Sequence, residues 1–259
     1  LWKMCSWSWW VVEMIDQIKR SFAIAKKDML IFYLKGPVVI MGLLFPFFLF
    51  LAFLIGRNLP QDRLFVGLTA MTAFFTSTAV GPTIIPWECR GRTFERLITA
   101  PVSLTTVLLG DFQASLYFGL AITFTIAVPA MLYFSLGLEW AIFITATLLA
   151  VGTFSAMTVL LSSYPPTDVP ADVMMLTSLV KFSLLFISGI FVPLENLPSY
   201  GRLVSYVSPL TYYVDALRHS LGEGYLPLWV DFGMLVLFGI AFFFAGVAVH
   251  KRVLEKRFT

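Results

Sequence analysis

Residues 104–134 read Leu-Thr-Thr-Val-Leu-Leu-Gly-Asp-Phe-Gln-Ala-Ser-Leu-Tyr-Phe-Gly-Leu-Ala-Ile-Thr-Phe-Thr-Ile-Ala-Val-Pro-Ala-Met-Leu-Tyr-Phe, and Asp111 is the only charged side chain in the run. A helix crosses the hydrocarbon core with about 20 apolar residues. This stretch is longer than that, so it either tilts or ends in a polar cytoplasmic turn around Asp111. The rest of the chain has the same character. Mean hydropathy is +0.86, 59% of residues are hydrophobic and 13% are charged, a balance far from soluble globular usage.

Working outward, five further windows are long and apolar enough to span: 36–55, 64–86, 140–163, 174–193 and 232–250. The expected fold is an all-α membrane protein with six transmembrane helices in one domain over 1–259. The first apolar run follows a charged stretch, so it reads as a span and not as a cleavable signal peptide. Lys and Arg collect at both termini and in the 87–103 loop, while Arg57, Arg63, Arg202 and Arg218 fall on the opposite side. The positive-inside rule then puts both termini and that loop in the cytoplasm of a multi-pass cell-membrane protein. This topology explains the net charge of +3 without nucleic acid. Trp2, Trp7, Trp9 and Trp10 cluster near the start, and Trp87, Trp140 and Trp229 flank spans, where indoles favour the headgroup level. Cys5 and Cys89 suggest neither a disulfide framework nor a metal site.

Residues 13–35 suit an interfacial helix lying on membrane lipid. Ile15, Ile18, Phe22, Ala25, Met29 and Phe32 recur at helical spacing, with Asp16, Arg20 and Lys27 opposite, and Lys19 and Lys26 flanking the stripe. Such a helix serves either as a plain anchor or as a contact for a cytosolic partner. Residues 195–227 are too polar to span, and prolines punctuate them. Within them Ser208-Pro209 opens a helix that runs through Leu221 and stops at Gly222. Asp215 and Arg218 are spaced to pair at i,i+3.

The charged loop Trp87–Pro101 is built for water. Glu88 and Arg92 stand i,i+4, Arg92 and Glu95 i,i+3, and Phe94, Leu97 and Ile98 share one face. Pro101 prevents continuation. A short amphipathic helix of this kind either turns the chain or docks on a partner. Lys181, inside the fifth window, has two open readings. It snorkels, paired with Asp111 or Asp172, or it lines the path of an anionic substrate near Ser188. Asp111 reads as a satisfied interfacial carboxylate. The sequence lacks G-x-x-x-x-G-K-[ST] and H-E-x-x-H, and its histidines are His219 and His250, so hydrolytic and metal-dependent enzyme chemistry is disfavoured.

The spacing Glu88-x-x-Gly91-x-Thr93-x-Glu95-x-Leu97-x-x-x-Pro101 resembles the cytosolic signature of ABC-2 type transporter permeases, with Arg92 inserted between Gly91 and Thr93. The run Ser188-Gly189-Ile190-Phe191-Val192-Pro193, then Leu197-Pro198, Ser208-Pro209-Leu210-Thr211-Tyr212 and Val214-Asp215-Ala216-Leu217-Arg218, is similar to a second signature of that family. The resemblance covers about residues 13–258. It implies a half-transporter in which two permease chains join two copies of a separate ABC ATPase subunit. ATP and Mg would be held by that partner, and this chain would bind no cofactor. Residues 88–99 would form a coupling helix, with Glu88, Gly91, Arg92, Thr93, Phe94, Glu95, Arg96 and Leu97 as its contacts. Residues 195–227, including Pro209, Thr211, Tyr212, Asp215 and Arg218, would form short outer helices. The cargo would be hydrophobic or amphipathic: drug-like, lipid or glycolipid. An ATP-independent secondary transporter or channel, and a membrane assembly factor, are the competing readings.

Overall fold

The computed structural model describes residues 16–55 and 60–253, and these are helical wherever they are regular. The readings made on Trp2, Cys5, Trp7, Trp9, Trp10, residues 13–15, Arg57 and the basic tail from 254 lie outside the described residues, as does the side chain of Ile98. The helices are α1 (Asp16–Tyr33, its last five residues wound as a π-turn), α2 (Gly36–Leu54), α3 (Gln61–Ser77) and α4 (Gly81–Arg90). After them come α5 (Thr93–Thr99), α6 (Leu104–Phe134), α7 (Trp140–Leu161) and α8 (Pro170–Ile187). A 3-10 turn at Leu194–Asn196 leads to α9 (Ser199–Ser205), α10 (Pro209–His219) and α11 (Leu228–Val253).

Among the described residues, five helical stretches are long and apolar enough to cross a bilayer, with α3 and α4 together forming one of them. A sixth exists if α1 and α2, bent 87° from one another, are taken as one broken span. The chain is a multi-pass membrane protein.

Burial separates centre from rim. In the most apolar 18-residue window of Gln61–Arg90, 89% of the residues are buried, against 22% in that of α8 and 17% in that of α11. The central helix α3 packs against α2, α6, α7 and α10, and α7 lies along α11. Hydroxyls that would be stranded in this interior bond to their own helix: Thr72 to Leu68 O (2.7 Å), Thr76 to Thr72 O (2.7 Å), Ser77 to Ala73 O (2.6 Å) and Thr78 to Phe74 O (2.6 Å). Others cross between helices. Thr153 donates to Leu235 O at 2.7 Å, and Ser208 to Leu184 O at 3.1 Å.

Local chemistry sets the starts and stops. Proline opens α8 and α10, where its missing N–H costs nothing. Ser103 caps α6 by accepting from Thr106 N at 3.1 Å. The helix expected to run through Leu221 ends at His219, and Gly222 takes φ +83 in the turn that follows.

The structure departs from expectation at two helices. The expected α1 stripe is divided: Ile18 and Phe22 are exposed, while Ala25 is buried against the bundle together with Ser21, Ile24 and Asp28. The expected single helix at 88–99 is two helices. The break falls at Gly91-Arg92, and Arg92 adopts φ 53.

Candidate functional site

The joint between α1, α4, α5 and α6 is held by charge and by one aromatic anchor. Lys27 on α1 pairs with Asp28 Oδ1 at 3.0 Å and with Glu88 Oε1 on α4. Asp28, Glu88 and Asp111 are all buried, and Asp111 on α6 feels Asp28, Glu88 and Lys27 as electrostatic neighbours. Several acidic side chains therefore surround one ammonium. Two further clamps bind α1 to the start of α6. Arg20 donates to Pro101 O, and Gln17 Oε1 accepts from Thr106 Oγ1 at 2.6 Å.

These contacts revise the expected roles. Glu88, at 4% exposure, is a buried ion-pair partner and does not stand beside Arg92 on a surface helix. Phe94, 1% exposed, packs with Ile24, Ile85, Val107 and Leu108, so the apolar face of α5 seats on its own chain. Thr93 Oγ1 donates to Glu88 O at 3.2 Å across the break. What α5 presents outward is polar: Gly91, Arg92, Thr93, Glu95 and Arg96 are exposed, and Leu97 is half-buried.

Next to this joint lies a cleft of about 740 Å³, lined by Lys35, Phe45, Phe75, Trp87, Met174 and Lys181 among others. Lys181 pairs with neither Asp111 nor Asp172. Its Nζ donates to Thr78 O at 3.1 Å, at the C-terminal cap of α3, and lies 5.5 Å from the centre of the Phe75 ring. The partial negative charge of a helix C-terminus and the ring face satisfy the ammonium where no carboxylate reaches. Ser188 is not part of that cleft. It donates to Leu185 O at 2.7 Å and lines a separate hollow with Phe186, Val192 and Tyr200.

At the other end of the bundle each expected residue is engaged in holding the connection together. Pro209 starts α10, Thr211 donates to Ser205 O at 2.6 Å, and Tyr212 donates to Tyr206 O at 3.0 Å. The expected Asp215–Arg218 pair does not form. Arg218 reaches Glu195 at 2.7 Å, and the bond it donates holds the Glu195 carboxyl below the usual carboxylate range. Asp215 instead accepts from Tyr225 N at 3.0 Å and Leu226 N at 2.7 Å. Those N–H groups would otherwise be unpaired where the loop folds inward, so they outcompete a side-chain partner.

With the two signature regions placed at opposite ends of one bundle, the comparison with known families decides the matter. A family model described as ABC-2 type transporter matches residues 18–221. The chain belongs to the ABC-2 type transporter family. Among curated relatives, the inner membrane transport permease YadH of Escherichia coli K12 is 24% identical over 153 residues, 59% of this chain. The YadH permease of Shigella flexneri matches to the same extent. The match spans 59% of the length of each of those permeases. In this ABC-2 protein the matched region takes in α5, the cleft and α10 together.

Sequence reasoning missed Lys27 and Asp28 as partners of Glu88. One signal was present: Asp28, Glu88 and Asp111 each sit at the polar edge of an apolar stretch, where a carboxylate needs a partner at the same depth.

Proposed function

We propose that this chain is the permease subunit of an ATP-binding cassette exporter, with both termini cytoplasmic. It moves a hydrophobic or amphipathic substrate using ATP hydrolysed on a separate subunit, and it works as a pair of permease chains. The carrying observation is the arrangement of α5. Its apolar anchor Phe94 is locked into the bundle while Arg92, Glu95 and Arg96 face outward. A partner pressing on that charged face would push directly on α1 and α6 through Phe94, and on α4 through the short Gly91-Arg92 link. Charges at a rim set orientation and register, which suits a contact that must engage and release in each cycle.

The cleft at Lys181 fits the cargo side of this reading. Its lining is mostly aromatic and aliphatic, with Lys35 and Lys181 as the cations, so an amphiphile with an acidic head group matches it. The test is reconstitution in liposomes with an ABC ATPase subunit. The wild-type pair is expected to hydrolyse ATP faster in the presence of substrate and to accumulate it across the bilayer. Substrate movement that needs no ATPase would overturn the reading in favour of a secondary transporter.

A further inference from the structure

Asp215 and His219 on α10 and Asp231 on α11 each bring a ligand atom to one place, all within 4.8 Å of one another. The three residues come from both sides of the loop that joins the two helices. Asp231 is 0% exposed, and neither of its carboxylate oxygens has a hydrogen-bond donor. His219 Nε2 stands 3.8 Å from Asp231 Oδ2. A carboxylate taken out of water without a partner is costly, and metal ligation is one of the few ways to relieve it.

We propose that Asp215, His219 and Asp231 bind a divalent zinc ion that clasps the end of α10 to the start of α11. The donor set fits that ion. One imidazole nitrogen and two carboxylate oxygens are ordinary zinc ligands, and water completes the tetrahedron. Zinc bonds of roughly 2.0–2.2 Å require the ligand atoms to draw in by about 1 Å.

The surroundings are built for orientation as well. Asp215 is already aimed by the N–H groups of Tyr225 and Leu226, at 3.0 and 2.7 Å, and a carboxylate oxygen can accept an N–H bond and hold a metal at once. His219 Nε2 lies 2.5 Å from Leu226 O, a bond that needs the proton on Nε2, so zinc is taken either by Nδ1 or by Nε2 once that bond is released. The loop backbone passes over that ring at Gly224, where a Cβ would run into the imidazole. The acidic pair and the histidine are therefore enclosed by a loop that their own hydrogen bonds position.

The test uses tag-free protein purified in detergent, stripped with a chelator and titrated with zinc chloride against a chromophoric competitor. Wild type is expected to bind one zinc per chain, with magnesium giving no competition. Asp231→Asn and His219→Gln are each expected to weaken zinc binding by at least about tenfold. Zinc should also raise the apparent Tm of wild type and leave that of Asp231→Asn unmoved. The metal-free Asp231→Asn protein should be at least as stable as metal-free wild type, since it loses a buried carboxyl group whose oxygens have no hydrogen-bond donor. Wild type that takes up no zinc overturns the proposal. So does zinc bound with unchanged affinity by both variants.

Discussion

Lys27 on α1 and Glu88 at the end of α4 form an ion pair across 61 positions of sequence, with Glu88 buried and Asp28 sharing the same ammonium. The pair ties a helix that lies beside the bundle to the element that leads into α5. Its energetics are asymmetric. A buried pair adds little net stability over apolar packing, but removing one member strands the other.

Lys27→Met is therefore expected to destabilise strongly, on the order of 3–5 kcal/mol, because Asp28 and Glu88 lose their shared cation. Glu88→Gln should cost less, since the amide oxygen still accepts from Lys27 and Asp28 still balances its charge. The apparent Tm of each purified variant in detergent ranks them. Equal losses would mean that the joint is held by packing alone.

Phe94 and Glu95 are neighbours with separable roles. Phe94→Ala empties a filled site among Ile24, Ile85, Val107 and Leu108 and should cost about 3–5 kcal/mol. Glu95→Lys changes an exposed side chain and should leave Tm within a degree or so of wild type. In the reconstituted complex Glu95→Lys should uncouple ATP hydrolysis from transport. Normal coupling in that variant would count against a docking role for the face of α5.

Arg92 holds φ 53, a left-handed conformation that costs an L-residue roughly 1–2 kcal/mol and glycine almost nothing. Arg92→Gly should thus raise the apparent Tm, by less than the full strain because glycine is freer when unfolded. Arg92→Ala, which keeps the strain and loses only the exposed charge, is the control and should not raise it.

The helical bundle was legible in sequence because its signal is one-dimensional. Apolar run length marks spans, and α6 begins and ends at the boundaries its run suggests. The Pro209 start of α10 and the Gly222 turn that follows it are equally local. The partners were not legible, because each pairing is decided by competition in three dimensions. Arg218 has Asp215 at helical spacing, yet Asp215 is claimed by two backbone N–H groups of a loop that folds back over it, and Arg218 turns to Glu195. The α1 pattern was legible only in part: periodicity marks the stripe, but not that the bundle takes Ala25 from it, along with Ser21, Ile24 and Asp28, while Ile18 and Phe22 stay exposed.

Lys181 gives a test of the cleft that leaves the fold in place. Lys181→Arg keeps the cation beside Thr78 O and the Phe75 ring, and should keep transport of an acidic amphiphile. Lys181→Met keeps the stem and removes the charge, so transport of that substrate should fall severalfold while a neutral analogue is little affected. Equal transport of both substrates by Lys181→Met would return Lys181 to a purely structural role at the end of α3.

The Glu195–Arg218 pair predicts a direction with pH. The bond from Arg218 lowers the folded-state pKa of Glu195 below its ordinary value of 4.5. A carboxyl with a depressed folded pKa contributes stability that is fully present above the unfolded value. That contribution fades as pH falls from about 4.5 through the lower folded value, because the unfolded chain takes up the proton first. Wild type should therefore exceed Glu195→Gln in apparent Tm at pH 6, and the two should converge as the pH is taken below 4. The gap should be small, since the Glu195 side chain is 39% exposed and solvent screens the pair, and it should shrink further with added salt. A gap that stays constant from pH 6 to pH 3 would show that Glu195 acts through packing of the 194–196 turn and not through its charge.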